Sequence, residues 1–242
     1  MRVILCGANG AMGKLIRQRL GQEAVGLVSI DREDGVAGTF EELGPMKADV
    51  VVDFSHHSAV AEVLAYAMAA GYAAVIGTTG HTREEQQLIR EAAERIPVFY
   101  SGNMSMGIAV LCKLAKQAAA FFPDADIEIL EIHHNRKVDA PSGTAKMLFE
   151  AVKAARPELT ARCGRSGEGK RFPNEVGISS LRMGNVVGIH EVHICTPSQS
   201  LTLRHEAGDR GMLADGAVDA ARFICGKAPG LYTMTELLEE IR

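Results

Sequence analysis

The stretch Arg2-Val3-Ile4-Leu5-Cys6-Gly7-Ala8-Asn9-Gly10-Ala11-Met12-Gly13 decides how the rest of the chain is read. An apolar run stops at a glycine, a Gly-rich turn follows, and a helical pattern starts near Met12 and continues to Leu20. The turn is GxxGxxG, a variant of the GxGxxG fingerprint of dinucleotide-binding folds. Its glycines allow a tight turn, close approach of backbone to a pyrophosphate, and close packing of helix on sheet. The helix N-terminus behind it offers N–H groups and partial positive charge to that anion. A second apolar run, 25–30, ends at Asp31, which follows Gly13 by 18 positions. That is near the ~20-residue spacing of the acidic group that binds an adenosine ribose. Arg32 comes next; a guanidinium there suits a 2′-phosphate or stacks on adenine.

Working outward, apolar runs at 48–54, 73–76 and 97–101 alternate with helical patterns at 59–70 and 82–94. Thr82 and Glu85 form a capping box at the start of the second helix. Continuous apolar strands alternating with helices predict a parallel sheet covered on both faces. The segments Gly77-Thr78-Thr79-Gly80 and Ser101-Gly102-Asn103-Met104 fall at strand ends, where ligands sit in such sheets. After residue 104 the pattern changes. A long Ala-rich helix is expected over 105–121, a strand over 126–133 and a helix over 142–155 capped by Ser142. A basic, Gly-rich loop over 164–174 precedes strands at 175–182, 186–195 and 200–206. Strands without intervening helices predict a mixed sheet in a second domain. A final amphipathic helix is expected over 213–225.

The densest polar segment is Glu131-Ile132-His133-His134-Asn135-Arg136-Lys137-Val138-Asp139-Ala140-Pro141-Ser142-Gly143-Thr144. Two histidines, an arginine and a lysine precede a helix N-terminus at Ser142, Gly143 and Thr144. This is a cationic, titratable anion site with proton donors beside it. His190 and His193 are three apart on an expected strand, hence on opposite faces, so no metal site is expected.

Bulk properties narrow the class. With 47% hydrophobic and 23% charged residues the chain is globular in composition. A net charge of -4 gives no basic surplus for nucleic acid, and no apolar stretch is long enough for a bilayer. The opening run reads as a strand rather than a secretion signal. Five cysteines without a CxxC pair point to reduced thiols and a cytoplasmic protein.

Taken together, GANGAMG, GTTG, EIHHNRKVDAPSGTA and RMGNVVGIHEV resemble the dihydrodipicolinate (4-hydroxy-tetrahydrodipicolinate) reductase family along essentially the whole chain. The resemblance implies NADH- or NADPH-dependent reduction of a cyclic unsaturated dicarboxylate to tetrahydrodipicolinate, in the diaminopimelate route to lysine. It implies an α/β fold with an N-terminal Rossmann domain, 1–104, completed by 213–242, and an α+β substrate and oligomerisation domain, 105–212, in a homotetramer. By position, Gly7, Ala8, Asn9, Gly10, Ala11 and Met12 hold the pyrophosphate, and Asp31 and Arg32 meet the adenosine ribose. Gly77, Thr78, Thr79, Ser101, Gly102, Asn103 and Met104 approach the nicotinamide half. His133 and Lys137 are the acid–base pair; His134, Gly143 and Thr144 bind substrate. Two positions depart from the family's pattern: Met104 and Leu213 stand where aromatic residues are common. The competing readings are another NAD(P)-dependent dehydrogenase of amino-acid metabolism, and a non-catalytic NAD-sensing protein, which would have no need of the His/Lys cluster.

Overall fold

The computed structural model describes residues 1–31 and 33–240. The chain divides into two compact units, Met1–Met106 with Gly211–Arg242, and Gly107–Arg210.

The first unit is built on a parallel sheet. Its strands are β1 (Val3–Cys6), β2 (Ala24–Val28), β3 (Val50–Asp53), β4 (Ala73–Ile76), β5 (Pro97–Tyr100) and β11 (Gly230–Tyr232), in the order β11-β5-β4-β3-β1-β2. All neighbours are parallel. β1, β3 and β4 are buried at every position, which is why they read as unbroken apolar runs. Helices α1 (Ala11–Leu20), α2 (Phe40–Leu43), α3 (Val60–Ala70) and α4 (Arg83–Ala93) follow the strands. The capping box on α4 is present: Thr82 Oγ1 accepts from Glu85 N, and Glu85 Oε2 accepts from Thr82 N at 2.7 Å.

Further along the chain come α7 (Gly211–Ile224) and α8 (Met234–Glu240). α7 packs on α1 and against β3, β4 and β5. Its Gly216 is required there, because a Cβ would stand 1.8 Å from the Met104 carbonyl oxygen. The core centres on Ile4, Val51, Leu64, Ile76, Ile89 and Val98, each such side chain contributing about 1.5–3 kcal/mol on burial.

The second unit is a five-stranded mixed sheet with α5 (Met106–Phe121) and α6 (Gly143–Ala155). Its strands are β6 (Asp126–His133), β7 (Thr160–Cys163), β8 (Glu175–Arg182), β9 (Gly188–Cys195) and β10 (Ser200–Ala207), ordered β10-β9-β6-β8-β7. β7, β8 and β6 run parallel, while β9 and β10 are antiparallel to their neighbours. On β6, burial alternates from Ile127 to His133. Ile127 and Ile129 enter a core with Leu111, Leu148, Val176 and Val192. The same face carries Glu131 and His133 at the strand's end, so two polar groups continue an apolar stripe.

The sequence reading of α/β architecture with a parallel and a mixed sheet is borne out. Several details differ. β2 stops at Val28, and Ile30 is exposed, so Asp31 lies beyond the strand. The short elements β7, α2, β11 and α8 are absent from the sequence reading, because three to seven residues hold too little periodicity to stand out.

Candidate active site

In the first unit, Gly7 lies at φ +75 and a Cβ there would stand 2.3 Å from the Phe54 carbonyl oxygen. The Gly7 and Ala8 N–H groups donate to Val28 O, fixing the turn to the end of β2. Asn9 Nδ2 donates to Asp31 O, which ties the turn to the Asp31 segment. Asn9 Oδ1 is buried with no partner among the described residues. α1 starts behind Gly10, which offers no side-chain cap, and its first turn holds no acidic group. A pyrophosphate would fit this cradle: the N–H groups at the start of α1 and its bare positive end would meet it, and no Cβ intrudes at Gly7, Gly10 or Gly13. Asp31 is exposed, as a ribose-binding carboxylate needs to be. Arg32 lies outside the described residues.

The Gly77-Thr78-Thr79 segment is fixed by a residue the sequence reading did not single out. Asp53, fully buried at the end of β3, accepts from Thr78 Oγ1 at 2.7 Å, from Ser55 N at 3.1 Å and from the Ser55 hydroxyl. Burial pushes its carboxyl upward, and the three hydrogen bonds oppose that rise. Gly77 faces the Phe54 ring, where a Cβ would stand 2.2 Å from Cζ. Thr79, Gly80 and Gly102 remain exposed. Ser101 Oγ donates to Asn103 O at 2.7 Å, and Ser105 N donates to Asn103 Oδ1 at 2.8 Å. Met104 is 2% exposed: its side chain belongs to the core, which leaves it little surface for a cofactor.

In the second unit, the polar segment 131–144 closes on itself around Glu131. The Glu131 carboxylate is fully buried. It accepts from His133 Nδ1, from Ser142 N at 3.2 Å and, in a two-point fork, from Arg182 Nη1 at 3.0 Å and Nη2 at 2.9 Å. Burial pushes this carboxyl up, but hydrogen bonds from Arg182, Ser180 and His133 outweigh it and hold the pKa at about 2. Arg182 Nη2 also donates to Asp139 O at 2.6 Å. His190 packs edge-on against His133, with ring centroids 5.1 Å apart, and its Nε2 lies 3.3 Å from Ser142 Oγ. Burial, then the neighbouring His133, lowers the His190 pKa to about 4.

His134 is depressed as well, by desolvation first and then by the cations Arg136 and Arg210; its buried Nδ1 has no partner among the described residues. Lys137 Nζ pairs with Asp139 Oδ1 at 2.7 Å. Ser142 caps α6, accepting from Ala145 N, so Gly143 and Thr144 form its first turn. His133, His134, Lys137, Gly143 and Thr144 thus gather at one end of the second unit's sheet. His190 faces into the cluster while His193 pairs with Glu191 and Thr202, the opposite-face arrangement expected from their spacing. Sequence reasoning missed Arg182 and His190 as site residues. Their signal was a polar residue interrupting a strand's apolar alternation, legible only once strand order is known. The Cys112 thiol, mid-helix in α5, is pushed up by burial to about 11, which argues against a cysteine nucleophile.

Two family models cover nearly all of this arrangement: dihydrodipicolinate reductase, N-terminus, over residues 1–104, and dihydrodipicolinate reductase, C-terminus, over residues 107–238. The chain belongs to the dihydrodipicolinate reductase family. Relatives agree over full length. The 4-hydroxy-tetrahydrodipicolinate reductase of Alkaliphilus oremlandii is 41% identical, covering 98% of each chain. That of Akkermansia muciniphila is 40% identical, covering 98% of this chain and 97% of its own. A solved dipicolinate-bound dihydrodipicolinate reductase from Paenisporosarcina superposes with a TM-score of 0.80 at 25% identity, covering 96% of this chain and 97% of that one. Aspartate dehydrogenase from Thermotoga maritima shares the fold alone, with a TM-score of 0.52 at 16% identity over 94% of this chain and 98% of its own.

Proposed function

We propose that this chain catalyses the reaction its family is named for: NAD(P)H-dependent reduction of 4-hydroxy-tetrahydrodipicolinate to tetrahydrodipicolinate, in the diaminopimelate route to lysine. The observation that carries the assignment to particular residues is the buried Glu131–His133 hydrogen bond beside Lys137 and the α6 N-terminus. A non-catalytic NAD sensor has no use for it.

The first unit holds the cofactor with Gly7, Ala8, Asn9, Gly10, Ala11 and Met12 at the pyrophosphate and Asp31 and Arg32 at the adenosine ribose. Gly77, Thr78, Thr79, Ser101, Gly102 and Asn103 line the nicotinamide end; Met104 supports them from the core. Asp31 favours the ribose hydroxyls of NADH and Arg32 offsets its repulsion of a 2′-phosphate, so both NADH and NADPH serve. When bound, the reduced nicotinamide supplies a hydride to a conjugated carbon of the substrate.

The remaining chemistry belongs to the second unit. Loss of the substrate's 4-hydroxyl as water completes the conjugated system; once hydride adds, electron density moving through it requires a proton on a neighbouring carbon. Lys137, drawn from Asp139 by the dicarboxylate, donates it from Nζ. His133 presents Nε2 to the substrate while Nδ1 stays bound to Glu131. One carboxylate settles at Gly143 and Thr144, at the positive end of α6. His134 sits beside it, with Arg136 and Arg210 supplying positive charge.

No helix among the described residues is long and apolar enough to cross a membrane; the family reading makes this a cytoplasmic homotetramer that uses no metal. The deciding experiment follows absorbance at 340 nm on mixing purified protein, NADPH and freshly generated substrate, with an EDTA-treated arm. Loss of absorbance that needs substrate and survives EDTA is expected; no turnover overturns the function. Light scattering tests the tetramer separately.

A further inference from the structure

Three strands converge on the His133 ring. β6 carries Glu131 and His133, two residues apart on one face. β8 pairs in register with it, His133 opposite Arg182, so the guanidinium lies within reach of the Glu131 carboxylate and forks onto it. β9 pairs on the other side, bringing Glu131 opposite His190 and setting Gly188 near the end of β6. A Cβ at Gly188 would stand 3.2 Å from His133 Nε2 and 3.6 Å from His190 Cε1. The glycine therefore keeps that nitrogen clear.

An ionised carboxylate only accepts hydrogen bonds. Glu131 accepts from His133 Nδ1, so in the neutral ring Nδ1 carries the proton and Nε2 carries the lone pair. The two carboxylate oxygens have further duties. Oε1 takes the Ser142 N–H, just past the loop that leaves His133, and Arg182 Nη2 reaches on to Asp139 O within that loop. One buried carboxylate thus ties down the His133 ring at the loop's start and the α6 cap at its end, with a guanidinium bracing the middle.

We infer that Glu131, braced by Arg182, is the positioning residue of this site: it fixes the His133 tautomer, leaves Nε2 toward the reacting molecule, and pins both ends of loop 133–142. Neither residue contacts substrate; both act through His133 and the loop that carries Lys137. The catalytic part of this inference rests on the function proposed above, whereas the tautomer is a property of the protein itself. The arrangement follows the general rule that a ring nitrogen's role is set by what its other nitrogen bonds.

Two measurements test it. In ¹⁵N-labelled wild-type protein, two- and three-bond ¹H–¹⁵N correlations above neutral pH are expected to show His133 protonated at Nδ1 and bare at Nε2, assigned by comparison with His133→Asn. The opposite tautomer, or an even mixture, overturns the inference whether or not the reductase assay succeeds. In Glu131→Gln, the amide divides its oxygen between Arg182 and His133, so the ring is expected to show mixed tautomers. kcat is expected to fall by about 10²-fold or more, with KM for NADPH unchanged. Wild-type kcat in a folded Glu131→Gln protein, or a lost kcat with the Nδ1–H tautomer intact, overturns it. Arg182→Lys, which keeps the charge but not the fork, is expected to retain the fold by circular dichroism and to lower kcat more than it raises substrate KM. An equal change in both, or none, counts against the brace.

Discussion

The ammonium of Lys137 stands 2.7 Å from Asp139 Oδ1, within the loop that joins β6 to α6. That hydrogen bond is the main reason the Asp139 carboxyl sits below its usual range. A lysine aimed at its own loop's aspartate is held near the site yet is free to exchange one anion for another. Lys137→Ala is expected to cut kcat by roughly 10²–10⁴, the usual span for a general acid. Lys137→Arg keeps the charge without the readily lost proton, so it restores KM better than kcat. Steady-state kinetics at saturating NADPH decide this; unchanged kcat in Lys137→Ala moves the proton donor elsewhere.

Acid stability reports on His190. Its pKa drops from 6.5 to about 4 in the fold, because burial disfavours the charged ring. The unfolded chain therefore binds a proton through this window while the folded chain does not. Folding stability is full above pH 6.5 and is lost as pH falls toward 4, by on the order of 3 kcal/mol from this group. Urea titrations across pH 4–7 are expected to show the slope, and His190→Asn to flatten it. Glu131, held down at about 2 against 4.5, adds a separate loss only below pH 4.5.

Glycine substitutions separate folding from cofactor binding. Gly7→Ala places a Cβ 2.3 Å from a backbone oxygen at φ +75, so it is expected to abolish soluble folded protein. At Gly10 the nearest contact is 3.2 Å, to Gly7 O, and φ is −67, so Gly10→Ala is expected to fold with a small shift of that oxygen. On the proposed pyrophosphate site its methyl group crowds the cradle, and KM for both NADH and NADPH is expected to rise about tenfold or more. Thermal melts with and without cofactor check both halves; an undiminished cofactor-induced rise in Tm for Gly10→Ala would place the pyrophosphate elsewhere.

On the proposed assignment, cofactor choice depends on Asp31 and Arg32. Arg32→Ala is expected to weaken NADPH far more than NADH, since only NADPH carries a 2′-phosphate for a guanidinium. Asp31→Asn is expected to do the reverse, relieving repulsion of the phosphate. Parallel KM measurements for the two cofactors settle it, and equal losses in Arg32→Ala remove that residue from the adenosine site.

By itself the sequence determined what local pattern controls. Val3–Cys6 followed by three spaced glycines specified a strand, a turn and a helix, because an all-buried parallel strand is apolar throughout and a Cβ is excluded where the turn closes. The Thr82–Glu85 capping box and the Ser142 cap were legible because each satisfies N–H groups three residues away. The clustering of His133, His134 and Lys137 was legible because they are neighbours in the chain. Only tertiary structure decided what surrounds them. Arg182 is 51 residues from Glu131 and His190 is 48 from Ser142; they meet because β8 and β9 flank β6 on opposite sides. No local periodicity encodes which strands pair or in which register, since each strand buries an apolar face equally well beside several others. The partner of His133 Nδ1, and with it the state of Nε2, is therefore a property of the assembled sheet.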